Sequence, residues 1–160
     1  MIIVGIDPGY MTGMSVMSVV NDKASFLILE ESKFDRFPDA LDSNLMYRQA
    51  IGNRLEENHV VCEDFYLNND SITKTKGQTN WSIELLGVSR YLARQYGYEF
   101  HTQQPNQAKK LVHDSWLKKL GVYMNSDGGH ANDAVRHAIL LLSKVNKNAF
   151  IDLVHRKEAD

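Results

Sequence analysis

The sequence predicts an α/β domain: a mixed five-stranded sheet flanked by helices. Three observations carry that reading. An apolar run at the start of the chain ends on an acid and a Pro-Gly turn, as a strand buried on both faces would. Two more strand-like segments follow so closely that an antiparallel meander is the simplest arrangement. Beyond them, strand-like and helical periodicities alternate to the end of the chain.

In order, Met1–Asp7 (MIIVGID) is the buried strand, with Pro8-Gly9 after it. Gly13–Val20 alternates more weakly, and Asn21-Asp22 supplies a turn before the third strand, Ala24–Glu30. Pro38–Glu57 is helical, since Leu41, Leu45, Ala50 or Ile51, and Leu55 recur at close to one turn's spacing. His59–Tyr66 (HVVCEDFY) is a fourth strand that runs into two acids, and Asn68–Asn80 is a polar loop holding Lys74, Lys76 and Gly77. Trp81–Gln95 is a helix capped by Asn80, with Glu84 in its first turns and Gly97 just past its end. Its stripe of Trp81, Leu85, Val88 and Leu92 is widened by Ile83, Leu86 and Tyr91, which predicts burial on more than one side, against the sheet and a second subunit. Tyr98–Thr102 is a short strand, and Pro105 opens a helix carrying Lys109 and Lys110. Ser126–Gly129 breaks the chain before a last strong helix, His130–Lys144, and the tail is expected to form one more, exposed helix. The 160 residues are thus read as one domain, with its core in 1–145 and a helical tail over 146–160.

Composition narrows the class. With 43% hydrophobic and 24% charged residues the chain is neither disordered nor fibrous. A lone Cys62 excludes an internal disulfide and fits a reducing, cytoplasmic setting. No segment approaches the roughly 20 apolar residues that span a bilayer, and the N-terminus lacks the basic residues of a secretory signal. A net charge of −2 argues mildly against nucleic acid. It is unevenly spread, however: residues 1–72 hold five Lys/Arg against twelve Asp/Glu, whereas residues 73–123 hold eight against three. Such a division points to a site that gathers carboxylates beside a surface that meets an anion.

The chemistry-bearing residues sit where strands end. Asp7 closes the first strand; Glu63 and Asp64 close the fourth and point to opposite faces. Asp133 lies in the first turn of the last helix, three residues after His130, so the two share a helical face. Each also has a structural role available: a turn former, a solvated strand end, a favourable charge at a helix N-terminus, a histidine beside a cap. Gathered beyond the strand ends, carboxylates repel one another, and a hard divalent cation removes that cost. Two such cations about 4 Å apart can activate water and stabilise the leaving oxygen of a phosphodiester.

The strand VGIDPG, the acid Glu63 in the fourth strand and the H-A-N-D-A that opens the last helix together resemble the RuvC-type Holliday junction resolvases, nucleases of the RNase H-like (retroviral integrase) superfamily. The similarity in element order and motif spacing runs from Met1 to about Ser143, and GHANDAVRHA looks closest to virus-encoded members. The resemblance implies an RNase H-like fold and a metal-dependent endonuclease that resolves branched DNA, leaving 5′-phosphate and 3′-hydroxyl ends. It places the metal ligands, for two Mg2+ or Mn2+ ions, at Asp7, Glu63, His130 and Asp133, with Asp64 the rival of Glu63. Many relatives carry a carboxylate at the position of His130; imidazole suits Mn2+ better than Mg2+. Lys109, in N-Q-A-K, matches a lysine that would hold the scissile phosphate. Tyr66 falls where relatives place an aromatic wedge, although it and Phe65 could equally pack beneath the loop. Lys74, Lys76, Lys110, Lys118 and Lys119 are read as contacts to the DNA backbone, and His137 either orients Asp133 or is simply packed or exposed. The resemblance also implies a homodimer through helix 81–95, the host cytoplasm for a virus-encoded member, no membrane, and no particular helicase partner. Lys110–Gly129 departs from the basic pattern of cellular resolvases. Flaps, replication forks and RNA–DNA hybrids are alternative substrates, and a catalytically silent branched-DNA binding module is the reading from another class.

Overall fold

The computed structural model describes residues 1–51, 57–64 and 80–158. Its sheet has five strands: β1 (Ile2–Asp7), β2 (Met11–Val20), β3 (Lys23–Lys33), β4 (His59–Glu63) and β5 (Glu99–Gln103), in the order β3-β2-β1-β4-β5. The first three form the expected antiparallel meander, turned at Asn21 and Asp22, whose φ angles of 49° and 59° suit a two-residue hairpin. β4 and β5 join parallel to β1, so the sheet is mixed. The helices among the described residues are α1 (Phe37–Ile51), α2 (Trp81–Gln95), α3 (Pro105–Leu111), α4 (Asp114–Lys119), α5 (His130–Val145) and α6 (Lys147–Glu158).

Alternation along β1 explains its unbroken apolar run. Val4 and Ile6 enter a core with Leu41, Leu45, Leu85 and Leu92 of α1 and α2. Ile3 enters a second core on the other face, with Val135, Ile139 and Leu142 of α5. A strand covered on both faces has no polar side to show.

Three expectations change. β3 runs on to Lys33, beyond Glu30, because β2 continues to pair with it as far as Met11–Lys33. β4 ends at Glu63 rather than Tyr66. The tail does form a helix, but not an exposed one: Ala149 and Leu153 are fully buried in the α5-side core. α4 is a helix for which the sequence raised no expectation; it buries Trp116 and Leu117 in the same core. Among the described residues no helix is long and apolar enough to cross a membrane.

Candidate active site

β1 and β4 run parallel, with Ile6 paired to Cys62. Asp7 and Glu63 are the next residue on each strand, so two carboxylates reach the same edge of the sheet. Ile3 and Val61 pack in the α5-side core, and alternation places Asp7 and Glu63 on that face too. Asp64 is therefore turned the other way.

α5 comes unusually close to the sheet here. A Cβ added to Gly5 would stand 2.1 Å from the Ala134 carbonyl oxygen, and one on Gly13 would stand 2.0 Å from that of His130. Only glycine admits that approach, and it lowers the first turn of α5 onto Asp7. Gly129, in the left-handed region at φ 67°, opens the helix without a side-chain cap. Glu31 takes over that role from β3: its carboxylate accepts hydrogen bonds from the Ala131 N–H at 2.9 Å and the Ser126 hydroxyl at 2.7 Å.

Asp7, Glu63 and Asp133 each have a basic or imidazole partner. Asp7, 7% exposed, meets His130 Nδ1 at 2.8 Å. Glu63 meets His137 Nε2 at 2.9 Å, and the other ring nitrogen of His137 lies 3.0 Å from the Gln103 side-chain oxygen. Asp133 pairs with Lys109 Nζ at 2.9 Å and, on its other oxygen, with Arg136. Arg136 also pairs with Asp114 and donates from Nε to the Val112 carbonyl at 3.0 Å. Burial raises the pKa of Asp7 above the ordinary carboxylate value; the bond from His130 opposes that shift, while the charges of Glu63 and Asp133 add to it. The Asp7 bond in turn raises the pKa of His130, and the Asp133 bond raises that of Lys109.

The donor set fits hard divalent cations. A buried carboxylate whose charge is disfavoured by desolvation and by two neighbouring acids is what a cation relieves. In this arrangement two of the four predicted ligands, Asp7 and His130, pair with each other, while Glu63 is held by His137 and Asp133 by Lys109 and Arg136. Among the described residues, three side chains that could hold one ion have ligand atoms within 4.8 Å of one another: His59, Glu99 and His101, at the other end of β4 and β5.

Beside Asp133, a cleft of about 450 Å3 is lined by Lys109, His113, Asp114, Tyr123, Asn132 and Arg136 among others. Between β1 and β2, the half-exposed Tyr10 stands against Phe34 and Trp81, with ring centroids 6.1 and 6.5 Å away.

This architecture is similar to that of Thermus thermophilus RuvC in complex with a Holliday junction substrate, at a TM-score of 0.58 and 20% identity over 91% of this chain and 97% of that one. The chain has the RuvC resolvase fold. A second Thermus thermophilus RuvC structure gives a TM-score of 0.57 at 20% identity, over 90% of this chain and 96% of that one. The fowlpox virus Holliday junction resolvase gives 0.50 at 15% identity, over 92% of this chain and 99% of that one. No protein-family model matches the sequence, and no curated protein does.

Five of the predicted residues therefore meet at one edge of a RuvC-type fold: Asp7, Glu63, Lys109, His130 and Asp133. Lys110, Lys118 and Lys119 are exposed on α3 and α4, with Lys118 lying 4.6 Å above the Tyr123 ring. Tyr66, Lys74 and Lys76 lie outside the described residues. His137 does not orient Asp133; it holds Glu63. Arg136, Gln103 and Glu31 were not anticipated. Arg136 lies three residues after Asp133, a helical spacing that could have revealed it; for Glu31 and Gln103 no local signal exists.

Proposed function

We propose that the chain is a homodimeric, metal-dependent endonuclease that cuts branched DNA, with the Holliday junction as its principal substrate. The observation that carries this reading is the meeting of Asp7, Glu63, Asp133, His130 and Lys109 at the edge of β1 and β4, in a fold shared with proteins that resolve Holliday junctions. Residues 1–160 would act as one nuclease domain. Asp7, Glu63, His130 and Asp133 would hold two divalent cations, whose chemistry is to activate water and neutralise the leaving oxygen, giving 5′-phosphate and 3′-hydroxyl ends. His137 and Gln103 keep Glu63 aimed at the site, and Arg136 does the same for Asp133. Lys109 is 54% exposed, so it can leave Asp133 and follow a phosphate. The outer face of α2, where Ile83 and Tyr91 are exposed, is the proposed dimer surface; a two-fold axis there would present two sites to opposed strands of a junction.

Labelled four-way junction, flap, fork, duplex and RNA–DNA hybrid, incubated with and without Mn2+, test this reading. Two symmetric, metal-dependent nicks confined to the junction are expected. Cleavage of flaps, forks or hybrids instead would move the substrate, and binding without cutting would leave a DNA-binding module.

Two further results are expected. Lys109→Ala should lower cleavage about 100- to 1,000-fold, while changing stability by less than about 1 kcal/mol, since a half-exposed ion pair is worth no more than that. Single-turnover rates beside denaturant melts separate the two effects. Mn2+ should support turnover at least as well as Mg2+, and His130→Asp should move the preference toward Mg2+. A metal titration in which parent and His130→Asp rank the two ions alike would remove the role given to the imidazole.

A further inference from the structure

At the end of β4 and β5 remote from Asp7 and Glu63, three side chains form a second group. The strands pair His59 with Glu99 and Val61 with His101, so all three project from one face. His59 Nδ1 lies 3.2 Å from His101 Nε2 and 3.4 Å from one Glu99 oxygen; His101 Nε2 lies 3.7 Å from the other. A tetrahedral ion with bonds of about 2.0–2.1 Å separates its ligands by about 3.3–3.4 Å. The two spacings from His59 Nδ1 lie close to that edge length, and one ligand atom from each of the three side chains lies within 4.8 Å of the others, so one ion fits after a small adjustment of the exposed Glu99 carboxylate.

A single proton between the two rings satisfies only one of these contacts, whereas a cation satisfies all three. Glu99 is 62% exposed, so solvent reaches the group from the Glu99 side. Two imidazoles and one carboxylate form a borderline-soft donor set, which favours Zn2+ over Mg2+. His59 precedes Glu63 by four residues on β4, about 13 Å at strand spacing, too far for the two groups to share an ion.

We propose that His59, Glu99 and His101 bind a Zn2+ ion that staples the edge strand β5 to β4. The site is independent of the nuclease reading, and its test reads metal rather than cleavage.

Chelator-stripped protein is titrated with ZnCl2, following bound zinc by equilibrium dialysis and stability by thermal unfolding. CoCl2 then serves as a spectroscopic probe of tetrahedral coordination. All proteins carry Asp7→Asn and Asp133→Asn, which removes competition from the acidic edge. The expected result is one bound zinc, a rise in melting temperature and a tetrahedral Co2+ spectrum, with excess Mg2+ giving none of these. Glu99→Gln and His101→Ala should each weaken zinc binding by about 100-fold, the upper end for losing a group that merely orients a ligand, and should abolish the Co2+ spectrum. Glu99 is exposed enough for its variant to keep the fold, which its circular dichroism will show. Zinc bound with unchanged stoichiometry and affinity by both variants would overturn the proposal, as would no zinc bound before substitution.

Discussion

Asp7→Asn is expected to abolish metal-dependent cleavage of a four-way junction and, in the presence of chelator, to raise the melting temperature. The first effect follows from losing the proposed metal ligand at the centre of the acidic edge, and should reach about 100-fold or more. The second follows from the direction of the Asp7 shift. Burial and the charges of Glu63 and Asp133 outweigh the bond from His130, so the fold disfavours this carboxylate and a neutral isostere relieves it. The sign with pH is definite. Folded Asp7 holds its proton above the ordinary value of 3.8, so the parent loses stability as pH rises through 3.8 toward the folded value. His130, whose pKa is raised above 6.5, adds stability below 6.5 that is lost as pH rises through its folded value. Asp7→Asn removes both losses, so its advantage should widen from acid to neutral pH and close near pH 3.8. Each kcal/mol is worth about 2–4 °C in a chain of this length. A melting series in chelator checks it; a variant less stable than the parent at neutral pH would show that the His130 bond, not burial, governs this edge.

Gly13→Ala carries the largest expected loss of stability. The new methyl would overlap the His130 carbonyl oxygen and approach the Ala131 nitrogen within 2.5 Å, and both belong to backbone. Backbone cannot swing aside as a side chain does, so the cost lies at the upper end of overpacking, about 3 kcal/mol, or about 6–12 °C. α5 can relieve the overlap only by lifting from β2, and its first turn carries His130 and Asp133. Cleavage should therefore fall even at temperatures where the variant is fully folded. Gly87→Ala gives the opposite control: nothing lies within 4 Å of its added methyl, and it sits mid-helix in α2. There alanine should add up to about 1 kcal/mol. Equal melting temperatures for the two variants would contradict the close approach of α5.

The sheet and most of the acidic edge were legible because each rests on a local rule. Asp7 ends an apolar run, and Asp133 follows His130 by one helical turn. Glu63 could not be separated from Asp64 until the strand register set Glu63 on the face of Val61, where α5 lies. The shared partners of these acids were not legible. Gln103 sits beside Glu63 through the pairing of β5 with β4 and shares His137 with it, and Glu31 caps a helix that begins about a hundred positions later. α4 escaped notice because six residues are too few to display a period, and the tail's buried face because two apolar residues four apart, Ala149 and Leu153, resemble an ordinary surface helix.

The clamp from Glu31 to Ala131 and Ser126 has a consequence in time. The meander β1–β3 pairs neighbours in sequence and can close early during synthesis. Asp7 then waits at its edge without His130, Asp133 or Lys109, and Glu31 holds an acceptor with nothing to cap. Only after the ribosome has released the residues of α5 can that helix settle over Gly5 and Gly13 and supply the missing half of the edge. The order of translation thus acts as a safety catch, since no nascent fragment that stops short of α5 contains the full set of groups proposed to cut DNA.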